Sequence, residues 1–373
     1  MKRKISTQKN KKGITIIRWI IGLLFIFSGL IKANDPLGLS YKMQEFFEAW
    51  GWTGLNDITL ALAYLMNIFE VLAGVAVIVG FAMPLFSWLL LLLMIAFGFL
   101  TGYATLSGKF KSCGCFGDCL PIPPMASFLK DVLLLILISI VFIYRNKIRP
   151  LFKWKPISIV LLLATVVGTV ILQQFVLHHL PIRDCLPYKV GNNLLVEMQL
   201  PKDARPDSTV ITFKYAHNGK TVEFDAEHFP DDFNDSTYEY VDRYDKVVRK
   251  GTGLAPINDF VLNTKDGADT TKEVLSNPGK YVMVFTQNFD HWDKAAFNSV
   301  LQSAKAKSYP VFVVSPNYKQ ALSLVPSDVI LLGLDAVVVK TAARVNSTYF
   351  LMQGANVLEK KSHEDVASFI NGF

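Results

Sequence analysis

The sequence predicts a membrane all-α helical bundle, four spans plus a fifth, followed by a soluble α/β domain with a small β-rich linker subdomain between the two. Three observations carry this. Apolar residues make up 51% of the 373 residues and charged residues only 18%, with a mean hydropathy of +0.32, so a substantial part of the chain belongs in lipid. The apolar residues gather into five runs, at about 14–31, 58–80, 85–106, 125–144 and 157–177, each close to the ~20 residues a bilayer requires. After residue 177 the composition becomes that of a soluble protein, with strand patterns first and then strands alternating with helical stretches.

A basic tail, 1–13, precedes the first run. Lys2, Arg3, Lys4, Lys9, Lys11 and Lys12 lie there, and Arg145, Lys147, Arg149, Lys153 and Lys155 separate the fourth run from the fifth. Those two segments hold eleven basic residues, whereas 33–57 and 107–123 hold three (Lys42, Lys109 and Lys111). Such asymmetry marks the basic segments as cytoplasmic and argues against a nucleic-acid partner, so the net charge of +7 is read as topology. The expected arrangement is a multi-pass protein of a bacterial inner membrane, amino terminus inside, with everything after residue 177 in the periplasm. The first run is kept as a span, because it is too long for a signal peptide and no small-residue cleavage pattern follows it.

Within 33–57, Met43, Phe46, Phe47 and Trp50 recur at helical spacing opposite Lys42, Gln44, Glu45 and Glu48. This predicts a short amphipathic helix at the interface, either roofing the bundle or lying on lipid. In the spans, Gly98 and Gly102 form a GxxxG pair that would allow close helix approach. Glu70, one turn after Asn67, sits mid-span, where a lone charge is expensive. It reads either as a proton or quinone contact or as an interhelical hydrogen bond that locks the bundle, with Lys32 and Lys130 expected nearer the outer surface. Asp131 reads as a local base or as a charge favoured by the helix dipole. The membrane domain is expected to cover 14–150 and the fifth helix 151–178.

The most chemical stretch is 109–124, KFKSCGCFGDCLPIPP, which holds three of the four cysteines. Cys113 and Cys115 flank a glycine, and Lys109 and Lys111 would favour their thiolates. A cycling dithiol is one reading; a structural disulfide or inert thiols in a tight turn is the other. No histidine or further cysteine stands at ligand spacing in the loop, so no metal is expected. Cys119 precedes the fourth span and Cys185 follows the fifth, so both should lie near one membrane surface and could pair, leaving Cys113 and Cys115 to exchange. The rival pairing lets Cys119 resolve Cys115 and leaves Cys185 free.

A β-rich linker subdomain is expected over 179–254, with a hairpin of 210–215 and 221–224 around His217-Asn218-Gly219. From 255 to 373 the order is strand 281–286, helix 294–306, strand 311–315, helix 318–325, then a hairpin of 348–352 and 357–361 around Gly354 and a final helix, 364–370.

Two resemblances follow from these residues. Residues of about 15–177 resemble the MauE and DoxX-like membrane proteins through Phe27-Ser28-Gly29-Leu30-Ile31-Lys32 with Asp35-Pro36, Glu70, Cys113-Gly-Cys115-Phe116-Gly117 and Ser127-Phe128-Leu129-Lys130-Asp131. The resemblance implies a four-helix unit akin to membrane thiol oxidoreductases and, for MauE itself, an accessory role in disulfide formation for methylamine dehydrogenase. Residues 255–373 resemble thioredoxin-like, TlpA-type domains through Asp266-Gly267, the strands at 281–286 and 311–315, and the later hairpin. They depart at the chemistry, because Gln287 to Trp292 replaces the CxxC and no proline precedes the hairpin. His291 and Trp292 are read as packing or capping the following helix.

Two functions are chiefly weighed, beside a third in which Glu70 forms part of a transport path. One is an inner-membrane thiol-disulfide oxidoreductase or electron conduit acting on envelope proteins through Cys113 and Cys115, with a quinone as a candidate acceptor near Glu70, Lys130 and Asp131. The other is a non-enzymatic envelope anchor whose cysteine-free domain binds a partner protein, the cysteines being structural. The lipid bilayer is a partner on either reading.

Overall fold

The computed structural model describes residues 2–108, 110, 112–202, 204–205, 208–217, 220–225, 228–230, 233–234, 237–249, 253, 255–290 and 292–373; the side chains of 2–11, 208–212, 220 and 239–249 lie outside that description. Five helices are long and apolar enough to span a membrane: α1 (Lys2–Ala33, apolar from Lys12), α3 (Thr59–Val79), α4 (Met83–Ser107), α5 (Pro124–Ile143) and α6 (Lys155–His179). Between the first two lies α2 (Pro36–Ala49). Asp35 starts α2 by accepting a hydrogen bond from the Gly38 amide, and Pro36 supplies the preset first turn.

Helices α1 and α3 approach each other closely at two glycines. A methyl group built on Gly22 would lie 2.7 Å from the Gly74 carbonyl oxygen, and one built on Gly74 equally close to that of Gly22. Small residues let the backbones meet, as dispersion packing between helices in lipid requires. The expected GxxxG pair does not do this: Gly98 has nothing within 4 Å of its absent side chain, and Gly102 meets only the Phe128 ring. At the opposite end from the cysteine loop, buried Arg18 donates to the Val77 and Ile78 carbonyls and satisfies the open end of α3. The fifth span packs on α3 through a buried polar rung, Asn67 Nδ2 donating to Gln173 Oε1 at 3.0 Å.

Helix α2 roofs the bundle beside the cysteine loop. Its Phe46 stacks on Phe110 with ring centres 4.2 Å apart, and Cys113 packs against the same cluster. Ser40 and Thr59 share a buried hydrogen bond that pins α2 to the start of α3.

Outside the bundle stands an α/β unit. Its elements are α8 (Thr271–Leu275), β4 (Lys280–Phe285), α9 (Lys294–Ala306), β5 (Val311–Ser315), α10 (Tyr318–Leu324), β6 (Ile330–Gly333), α11 (Ala336–Ala342), β7 (Thr348–Gln353), β8 (Asn356–Ser362) and α12 (Val366–Ile370). The sheet order is β6-β5-β4-β7-β8, with β4, β5 and β6 parallel and β7 and β8 antiparallel to their neighbours. Alternation along β4 sends Val282 and Val284 towards Phe297 and Phe369, and Tyr281, Met283 and Phe285 towards the other core. That second core takes in Tyr188 and Leu194, and the amides of Gly191 and Leu194 donate to Val357 and Ala355. Packing therefore draws residues 188–198, including the short α7 (Leu194–Glu197), into the α/β unit, although a boundary at 254 was expected. The edge strand β6 and helix α11 also stand where no element was expected, because neither carries a clear periodic signal. Between the two parts of this unit runs a small antiparallel sheet, β2-β1-β3, formed by β1 (Ser208–His217), β2 (Lys220–Asp225) and β3 (Glu239–Arg249). Asn218 and Gly219 of its expected turn lie outside the described residues, as does His291; Trp292 packs between Phe289 and Phe297, and Asp293 caps α9.

The α/β unit sits on the cysteine-loop end of the bundle. Arg344, 5% exposed, donates to Asp35 at 2.9 Å and to Asp118 at 2.6 Å. Lys360, equally buried, donates to Asp184 at 2.7 Å, and Asn34 exchanges two hydrogen bonds with the backbone of Arg183. A disulfide joins Cys119 to Cys185, with Cα atoms 4.8 Å apart.

Candidate functional site

Gly108 ends α4 in a left-handed turn, and Pro123 and Pro124 start α5, so the chain between them must double back over the bundle. Gly114 and Gly117, at φ +69° and +57°, make that reversal possible. The loop they shape carries Cys113 and Cys115 as free, half-buried thiols, while Cys119 at its far end is bonded to Cys185.

Beneath Cys115 lies a polar cluster. Ser28 Oγ is 2.9 Å from the Cys115 carbonyl oxygen and 3.1 Å from Glu70 Oε2, so its single proton serves one acceptor at a time. Glu70 is 1% exposed, and its other oxygen accepts a hydrogen bond from Lys32 Nζ, itself 3% exposed. Lys32 was expected to lie further out; its long stem instead brings the ammonium back along α1 to meet the carboxylate. A buried charge needs such a partner, since an unpaired one in hydrocarbon costs several kcal/mol, on the order of 3 on insertion scales. The neighbouring pair is Lys130 and Asp131: Lys130 Nζ donates to Asp131 Oδ1 at 2.6 Å, and Thr101 Oγ1 lies 3.0 Å from Asp131 Oδ2. Lys130 also stands over the Phe116 ring at 5.2 Å, which holds its head against the loop.

Both thiols titrate above the ordinary range. Burial, then the Cys115 sulfur and the Asp131 carboxylate, push Cys113 up to about 11, with Lys42 pulling the other way. Burial likewise raises Cys115, against the opposing pull of Lys130 and Lys32. The lysines expected to favour the thiolates, Lys109 and Lys111, lie outside the described residues; among those described, burial outweighs the pull of Lys42, Lys130 and Lys32. Asp131, with its carboxylate already paired, acts on the thiols as a nearby negative charge.

A cavity of about 70 Å³ separates the thiols from the polar cluster, bordered by Ser28, Lys32, Lys42, Thr101, Lys130 and both cysteines, with Met43, Met66, Phe97 and Leu100 on its apolar side. At ~30 Å³ per water it has room for about two waters.

Of the expected site residues, Cys113, Cys115 and Lys130 line one small space, Glu70 and Asp131 stand behind its wall, bonded to Ser28 and Lys32 and to Thr101 and Lys130, and Cys119 and Cys185 are held apart in the bridge. Ser28, Lys32, Thr101 and Lys42 complete the space and were not singled out as site residues. Ser28 and Lys32 had a signal, since they stand in the motif at the end of the first span. Asp118 and Arg344 had none, because their pairing joins positions 226 residues apart.

Residues 10–144 match the family model described as methylamine utilisation protein MauE, and residues 209–250 match a model described as a domain of unknown function. Neither the curated proteins nor the solved structures give a significant match. The MauE match covers the first four spans and the whole cysteine loop. It ends before the fifth span and the α/β unit.

Proposed function

We propose that this protein is a membrane thiol-disulfide exchange module in which Cys113 and Cys115 form and open a bond with each other, in the accessory manner that the MauE likeness suggests. One observation carries the reading: two free thiols, one glycine apart, stand over a cavity lined by Lys32 and Lys130, while the other cysteines are bonded to each other. Exchange needs an attacking sulfur and a resolving sulfur within reach, and the pair supplies both. Lys130 and Lys32 oppose the burial of Cys115, which suits it to the resolving step, where its sulfur must carry transient negative charge to attack Cys113. The basic tail and the basic 145–155 segment support an inner-membrane orientation with the cysteine loop and α/β unit on the periplasmic side.

The α/β unit is read as thioredoxin-like without its dithiol. The parallel β4-α9-β5 arrangement beside an antiparallel β7-β8 hairpin supports this, and Gln287 and Asn288 stand after β4 where that family carries its first cysteine. Gln287 donates to the Ala343 carbonyl and reaches the Tyr41 hydroxyl at 3.4 Å, so this loop serves docking onto α2. On the competing reading, an anchor with inert thiols, the unit binds a partner and the cysteine loop is structural.

Equilibrating the full chain in lipid nanodiscs against glutathione buffers from about −150 to −300 mV, quenching with a maleimide and reading the masses separates the two. A reversible two-electron transition confined to Cys113 and Cys115 is the expected result. Thiols that stay reduced across the range would sink the proposal and favour the anchor.

A further inference from the structure

A second and larger space lies on the flank of the molecule. It is a groove of about 450 Å³ between α2 and α11, walled by Tyr41 and Lys42 on one side and Val337 and Lys340 on the other, with Asp118 and Pro121 in its floor. That volume lies within the ~300–1,000 Å³ of sites that bury a drug-sized group, enough for a short part of an extended segment. Lys42 borders both this groove and the thiol cavity, so its side chain is the partition between them.

The partition is lightly held. The Lys42 stem lies against Gly114, where an added methyl would come within 3.0 Å of its Cγ, so the glycine between the two cysteines leaves the space the lysine fills. Its ammonium is tied only to Glu45, which is 51% exposed, at 2.7 Å among the described residues. An ion pair of this kind contributes little, and side chains at a surface change rotamer quickly. Moving Lys42 would join the groove to Cys113.

The occupant follows from the cysteine inventory. Of the four cysteines in this sequence two are bonded to each other, which leaves Cys113 and Cys115 without a second pair to exchange with in the structure, and we take that pair to belong to another molecule. We propose that the groove between α2 and α11 is the docking site for an extended segment of a partner protein carrying a disulfide, and that the segment displaces Lys42 to reach Cys113. This rests on the exchange reading above. In the direction that reduces the partner, the Cys113 sulfur gives up its proton and attacks one partner sulfur. The partner's S–S bond breaks, a Cys113–partner bond forms, and the released partner sulfur takes up a proton. Cys115 then attacks Cys113, closing the Cys113–Cys115 bond, and the second partner thiol leaves with the proton that Cys115 gave up. Two electrons pass to the partner, and no other oxidant is needed.

The test uses the full chain in nanodiscs with Cys115→Ser, so that the mixed disulfide on Cys113 accumulates. Its rate with a twelve-residue synthetic peptide bearing one activated disulfide is divided by the same variant's rate with a small aromatic disulfide reagent. Val337→Trp, on an exposed wall of the groove, is expected to lower that ratio at least tenfold, and Lys42→Ala to raise it about threefold or more. A ratio unmoved by both variants overturns the groove while leaving the exchange reading standing. If Cys113 reacts with neither reagent, the exchange reading itself fails. If oxidised glutathione matches the peptide in rate and in its response to Val337→Trp, the occupant is a small thiol and the polypeptide assignment is wrong.

Discussion

At the scale of single residues, the behaviour of Cys113 is set by what surrounds its sulfur. With a pKa of about 11 it is almost wholly protonated at neutral pH, the thiolate fraction being about one part in 10⁴. Its alkylation by iodoacetamide in the native reduced chain should therefore rise about tenfold per pH unit from 7 to 10, without the plateau an ordinary thiol shows above ~8.5. A plateau below pH 9 in the parent chain would contradict the burial account. Lys32 and Glu70 make a second residue-scale case. Removing one member strands a charge in a buried site, which costs about 3–5 kcal/mol, whereas replacing both with apolar residues of similar size is often close to neutral. Lys32→Met alone should lower the detergent melting temperature more than Lys32→Met with Glu70→Met. The reverse order would mean that the pair is not the interhelical lock.

At the scale of elements, the bundle depends on how closely α1 and α3 meet. Gly22 and Gly74 face each other's carbonyl oxygens, and backbone cannot retreat as a flexible side chain can. Gly74→Leu should therefore destabilise the bundle by roughly 1–3 kcal/mol or more through overpacking. Gly98→Leu should leave it nearly unchanged, since nothing lies within 4 Å of that position. Thermal unfolding of the two variants in one detergent checks both, and equal losses would show that the α1–α3 crossing is not the tight one. Sequence pattern pointed to Gly98 and Gly102 because the GxxxG spacing lies within one helix. The Gly22–Gly74 approach needs two helices in register, which no single run of sequence displays.

At the scale of the whole molecule, a disulfide and three buried or half-buried ion pairs hold the α/β unit on the bundle. Cys119–Cys185 closes 66 residues, for which chain entropy suggests about 4 kcal/mol. Asp118 and Asp184, the residues before those two cysteines, accept from Arg344 and Lys360, so covalent and ionic ties meet at one place. Cys185→Ser combined with Arg344→Ala should raise amide hydrogen exchange at least tenfold in the first turns of α2, where Asp35 forms the cap. Exchange in the β4 and β5 core should stay unchanged, since the sheet has its own two cores. Uniform protection in α2 would mean that docking does not depend on this clamp.

The five spans, the amphipathic α2 and the alternation of strands and helices after residue 255 were legible in the sequence, because runs of composition and short periodicities encode them locally. So was the place of the cysteine-bearing loop between the third and fourth spans, because it is the polar interval between two apolar runs. Tertiary structure alone decided that Lys32 turns back to Glu70 and that burial outweighs the lysines at the thiols. It also decided that Arg344 closes on Asp35 across 309 residues. Each of these depends on the rotation of one packed helix against another and on the solvent that packing excludes, and neither quantity is carried by neighbours along the chain.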